Sequence, residues 1–145
     1  MSLLGNETDP SAVVQRLRAV TNSHDLDAIV ACFASDYRNE TPAHPARSFV
    51  GNKQVRRNWT QILAAIPDIS TEILASAVSG TMVWTEWEHR GTRRDGTAHL
   101  MRGVIVFGIA GGLIVSARFF LEPVEEASGD VKAAVQRQVG TGTAS

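Results

Sequence analysis

From Thr81 to Pro123 polar and apolar residues alternate, and the alternation divides into three runs, Thr81–Arg90, Thr97–Ile109 and Leu113–Leu121. Residues two apart share a face of a strand. One face then reads Val83, Thr85, Trp87 and His89, followed by Met101, Gly103, Ile105, Phe107 and Ile109, and by Val115, Ala117, Phe119 and Leu121. It is apolar except for Thr85 and His89. The opposite face carries Trp84, Glu86, Glu88, Arg102, Val104, Val106, Ile114, Arg118, Phe120 and Glu122, mixing aliphatic residues with both signs of charge. The first face is therefore expected to meet a core or pocket, with His89 the odd group in it. Asp95-Gly96 and Ala110-Gly111-Gly112 supply the turns between the runs.

Earlier in the chain the period changes from two to that of a helix. Asp9 caps and Pro10 opens a helix with Val13, Val14, Leu17 and Val20 on one side, over roughly Pro10–Thr21. Asp25 caps a second, Asp25–Ala34, striped by Leu26, Ile29, Val30 and Phe33. Tyr37–Thr41 reads as a short strand and Ala43–Val50 as a loop. Gly51-Asn52 opens a third helix, Lys53–Ile66, with Val55, Trp59, Ile62, Leu63 and Ile66 inward, and Ile69–Val78 reads as a further strand. Helices early and antiparallel strands late make an α+β layout. Three N-terminal helices pack on a curved, mainly antiparallel sheet that forms a cone around an internal pocket. Residues 1–9 form an arm, 10–125 the cone domain, and 126–145 a tail with a short helix over Asp130–Val139 and disorder from Gly140.

Composition narrows the function classes. The chain has 145 residues and a formal net charge of −1. That size gives one domain, and that charge gives no reason to expect nucleic acid or an anionic membrane as partner. No apolar run reaches the ~18 residues of a bilayer span. The single cysteine, Cys32, excludes an internal disulfide and fits a reducing cytoplasm. His24, His44 and His99 show no metal-ligand spacing, so no metal is expected. The outward face is too apolar for open solvent, and a homodimer through Trp84, Val104, Val106, Ile114 and Phe120 is expected.

Several strings carry a family resemblance: His24-Asp25-Leu26-Asp27, Gly51-x-x-x-Val55, Pro67-Asp68, Arg102-Gly103-Val104-x-Val106-Phe107 and, above all, Gly112-Leu113-Ile114-Val115-x-x-Arg118-x-x-x-Glu122-Pro123. In this order and spacing the chain, from about Val13 to Glu125, resembles the SnoaL-like polyketide cyclase branch of the nuclear transport factor 2-like superfamily. The resemblance implies a cone fold and many conceivable activities. Limonene epoxide hydrolase is a similar branch, and Tyr37-Arg38-Asn39 matches its water-holding Tyr-x-Asn pair. That family's arginine and two aspartates correspond to Trp87, His89 and Phe119, so hydrolysis by the Asp-Arg-Asp route is not expected. The ketosteroid isomerase base would fall near Asn39-Glu40-Thr41-Pro42, where alternation turns Glu40 outward. The late-strand acid or base of the SnoaL-type cyclases would fall among Ala117, Phe119 and Leu121, none of which moves a proton.

The expected function is binding or transforming a small hydrophobic molecule without a cofactor. As an enzyme it would be isomerase- or cyclase-like, with His89 as acid or base and Tyr37 and Asn39 holding a water or carbonyl. Trp59, Ile62, Trp87, Met101 and Phe119 would wall the ligand. The alternative is a non-catalytic binding or dimeric assembly module in which the family's carboxylates are missing. Burial without a partner acid should keep His89 neutral.

Overall fold

The structure, a computed structural model, describes residues 9–125 and 129–144. The arm expected over 1–9 lies almost wholly outside the described residues. Helix α1 spans Pro10–Asn22, and the Asp9 carboxylate caps it by accepting from Ser11 N at 3.0 Å. Val13, Val14 and Leu17 bury its inner face. Helix α2 spans only Leu26–Ala31, capped by Asp25. Strand β1 follows at Phe33–Glu40, then a 3₁₀ turn at Pro45–Arg47 and a two-residue strand β2, Phe49–Val50. Helix α3 spans Asn52–Ala65. Strands β3 (Ser70–Ser79), β4 (Met82–Thr92), β5 (Ala98–Ala110) and β6 (Leu113–Pro123) form the meander, and α4 spans Val131–Ala144.

All six strands form one sheet in the order β2-β1-β6-β5-β4-β3. Only β1 and β6 run parallel. The three early helices cover one face of the sheet and enclose a core of Val14, Ile29, Phe33, Tyr37, Val83, Phe107 and Ile114. This is the expected α+β cone.

Several element bounds differ from expectation, and β1 begins at Phe33, four residues before Tyr37. Helix α2 ends at Ala31, three residues early, because Phe33 enters the sheet opposite Ile114 and its ring packs edge-on against Tyr37 at 4.8 Å. The segment Ala43–Val50 is not all loop, since Phe49 and Val50 pair with Asn39 and Arg38. The last helix also runs past Val139 to Ala144, where Gly140 onward was expected to be disordered.

A β-bulge changes which residues face outward. Gly108 and Ile109 of β5 stand opposite Ser116 and Ile114, so β6 carries one extra residue there. The extra residue turns Ile114 into the core, with 0% of its surface exposed. Ile114 therefore leaves the expected dimer face. Val106 leaves it too, with 0% exposure on the outer side. Its cross-strand neighbours are Trp84 and Arg118, and the Arg118 guanidinium lies 5.9 Å from the Trp84 ring, so the two close over it. Trp84 (46%) and Phe120 (44%) remain exposed on that face.

Gly103 is the tightest point of the meander. Its φ is +152°, and a Cβ there would overlap the Phe120 carbonyl oxygen and the Leu121 backbone. Backbone cannot yield as a flexible side chain can. We expect Gly103→Ala to destabilise the fold by at least about 2 kcal/mol, read as a lowered urea midpoint.

Candidate functional site

The inward faces of β4, β5, β6 and β1 and the inner side of α3 enclose a cavity of about 400 Å³. That is the size of a small-molecule site. His89, Trp87, Met101 and Phe119 line it from the meander, Tyr37 and Asn39 from β1, and Trp59 and Ile62 from α3. Among the described residues its lining holds no carboxylate.

Alternation explains the sorting. Along β4, Thr85 and Trp87 are buried and Glu86 is exposed. Glu88 points to the outer face and is nonetheless buried there. Its carboxylate accepts from Arg90 Nη2 at 2.6 Å and Arg102 Nε at 2.8 Å. The Arg102 hydrogen bond first, and then that of Arg90, hold the Glu88 carboxyl below the usual carboxylate range.

Two polar locks hold the aromatic walls. Trp87 Nε1 donates to Thr85 Oγ1 at 2.6 Å, and Thr85 Oγ1 donates to the Ile105 carbonyl at 2.6 Å. Thr85 is thus occupied and does not serve a ligand. The Tyr37 hydroxyl donates to Asn39 Oδ1 at 2.7 Å. Burial pushes the Tyr37 phenol far above its ordinary pKa, so it stays protonated and donating. Asn39 Nδ2 has no partner among the described residues and remains a free donor.

His89 is different. Its ring packs edge-on against Trp87 at 5.6 Å and has no hydrogen-bond partner among the described residues. Burial, and secondarily the neighbouring His99, lower its pKa from 6.5 to about 4. It is a neutral imidazole at pH 7, and no acid in the cavity wall opposes that.

The three proton-handling candidates line one cavity from two strands of the sheet. Asn39 lies in the cross-sheet row Asn39–Ala117–Phe107–Val83. His89 lies in the row of Thr71 and Met101. The two rows cross β4 six residues apart, at Val83 and His89. The side chains beside His89 are Trp87, Met101, Thr71 and His99.

Arg47, Asn58 and His99 also line the cavity and were not foreseen. His99 shares the parity of Met101, and Asn58 stands a helical turn after Val55, so both patterns already contained them. Arg47 sits in the 3₁₀ turn, where no periodicity marks it.

A SnoaL-like domain model matches residues 14–117. The chain belongs to the SnoaL-like family. Among curated proteins none matches it significantly. Similar solved structures include SalBIII, an epoxide hydrolase/cyclase-like enzyme of pyran-ring formation in salinomycin, at 22% identity and a TM-score of 0.69 over 78% of this chain and 90% of that one. IdmH of Streptomyces antibioticus, a polyketide cyclase candidate, is 20% identical with a TM-score of 0.69, over 79% of this chain and 92% of that one. A protein of ketosteroid isomerase-like fold from Catenulispora acidiphila, solved with trimethylamine, is 19% identical with a TM-score of 0.62, over 73% and 82%. At these identities the likeness is one of fold. No helix among the described residues is long and apolar enough to cross a membrane.

The His89 environment has a thermodynamic signature. The folded pKa of about 4 lies below the unfolded 6.5, so the unfolded chain takes the proton first as pH falls. Stability is fully present above the unfolded value and declines through the window between the two. The expected loss from His89 between neutral pH and the folded pKa is on the order of 3 kcal/mol. His99, also lowered by burial, adds in the same direction. Urea unfolding of wild type and His89→Phe across this window checks it: the variant should show a shallower decline.

Proposed function

We propose that the cavity binds a small hydrophobic molecule and that His89 moves a proton on it as a cofactor-free general base, chemistry of the isomerase or cyclase kind. One observation carries this reading. A neutral imidazole without a hydrogen-bond partner faces an apolar cavity that has no carboxylate in its wall. A base must be deprotonated at working pH and within reach of its proton. The apolar wall meets the body of the ligand, and Asn39 Nδ2 donates to a carbonyl or hydroxyl.

A hydrophobic ketone with acidic α-hydrogens tests the chemistry without knowledge of the natural substrate. The protein is incubated with β-tetralone in D₂O and exchange is followed by NMR. Wild type should accelerate exchange, and His89→Ala should lose about a hundredfold of that acceleration. The enzymatic rate should rise as pH increases through about 4 and level off above, because only the deprotonated ring acts. Undiminished exchange in His89→Ala, with β-tetralone still bound, would leave a binding module and remove the enzyme.

A second reading concerns assembly. Trp84 and Phe120 stand exposed on a sheet face that also presents Glu86 and Arg118. Isolated exposed apolar residues are ordinary, but here two large aromatics flank β5 on the same outer face, with the half-buried Val104 between them. We propose that a second copy covers this face, each copy's Glu86 meeting the other's Arg118 across a two-fold axis. Light scattering at micromolar concentration should show a dimer, and Trp84→Glu should shift it to monomer. A wild-type monomer refutes the interface.

A further inference from the structure

The described arginines are nearly all engaged. Arg56 pairs with Asp27, Arg90 and Arg102 with Glu88, Arg94 donates to the Ala64 carbonyl, and Arg118 lies over Trp84. The Arg47 guanidinium has neither a hydrogen bond nor an ion pair among the described residues, yet Arg47 lines the cavity. In its own loop it is His44, not Arg47, that holds a carboxylate, with Nε2 3.2 Å from Glu122 Oε2. That contact fastens the loop to the end of β6, next to Pro123, which pairs with Met101. Arg47 is exposed and stands on the rim.

Resting on the reading of the cavity as a ligand site, we propose that its ligand is a hydrophobic carboxylic acid whose carboxylate sits at the rim on the Arg47 guanidinium. The planar fork of a guanidinium matches the two oxygens of a carboxylate. The body of the molecule lies against Trp59, Trp87 and Phe119. The carboxylate stays at the rim because the apolar interior offers it no charged partner, and an unpaired charge there is costly. No acid of the cavity wall competes for Arg47 or repels the ligand. The rim is wet, so the pair gives selectivity by modest electrostatics rather than tight binding.

The test uses two fluorescent probes of the same shape, pyrenebutyrate and the neutral alcohol pyrenebutanol, titrated into the full chain and followed by energy transfer from its tryptophans. Wild type should bind the acid about tenfold more tightly than the alcohol at low salt, and added salt should narrow the gap. Arg47→Gln should erase the preference and leave alcohol binding unchanged, and Arg47→Lys should keep part of it. Arg47 is exposed, so these variants do not threaten the fold. Equal affinity of both probes for wild type, or equal weakening of both by Arg47→Gln, overturns the inference while leaving the hydrophobic site intact. Binding of neither probe overturns the hydrophobic site, and the inference with it.

Discussion

A parallel pairing joins β1 to β6, with Asn39 beside Ala117 and Glu40 beside Arg118. The four strands of the meander alone make an open sheet with one apolar face. Adding β1 at the β6 edge brings Tyr37, Asn39 and the loop beyond them alongside that face, and α3 then follows across it. Gly51 N donates to the Tyr37 carbonyl at 2.6 Å, so the start of α3 is tied to the strand. Its positive φ, +103°, lets the chain turn directly from β2 into the helix. Residues 33 and 114 must meet across most of the chain, so the contact carries a large loop-closure cost. Cavity, rim and the donor Asn39 all depend on it.

Most of this architecture was legible in the alternation from Val83 to Leu121. That pattern separates Trp87 from Glu86 and His89 from Glu88, and the sheet keeps the separation. It failed at the bulge, because one extra residue inverts every side chain on its far side and leaves no trace in composition. Ile114 and Val115 are both aliphatic, so nothing in their chemistry marked which would be buried. Helix α2 was overdrawn for a related reason. Phe33 fits the helical stripe, but its sheet partner is Ile114, eighty-one positions away. Local spacing cannot register such a contact.

The same limit explains the site. Lining residues on regular elements follow parity or helical spacing, and the eight named ones fall in the cavity wall. Which of them neighbour one another depends on cross-strand register, which places Met101 and Thr71 beside His89. Arg47 lies outside any period, and its place on the rim follows from the His44–Glu122 contact that holds its loop.

The outer face bears on the inner one. Every carboxylate of β4 points outward, and Glu88 is fully occupied by Arg90 and Arg102. Were Glu88 unpaired, its charge would lie one residue from His89 and would favour the imidazolium. The two arginines satisfy the acid on one side of the strand, while burial keeps the imidazole neutral on the other. A slip of one residue would exchange them, turning Glu86 and Glu88 toward Trp59 and Phe119 and away from Arg102, and exposing His89 to water. The cost of burying those charges opposes the slip, so the Glu88–Arg102 pair between β4 and β5 helps to hold the register that turns His89 into the cavity.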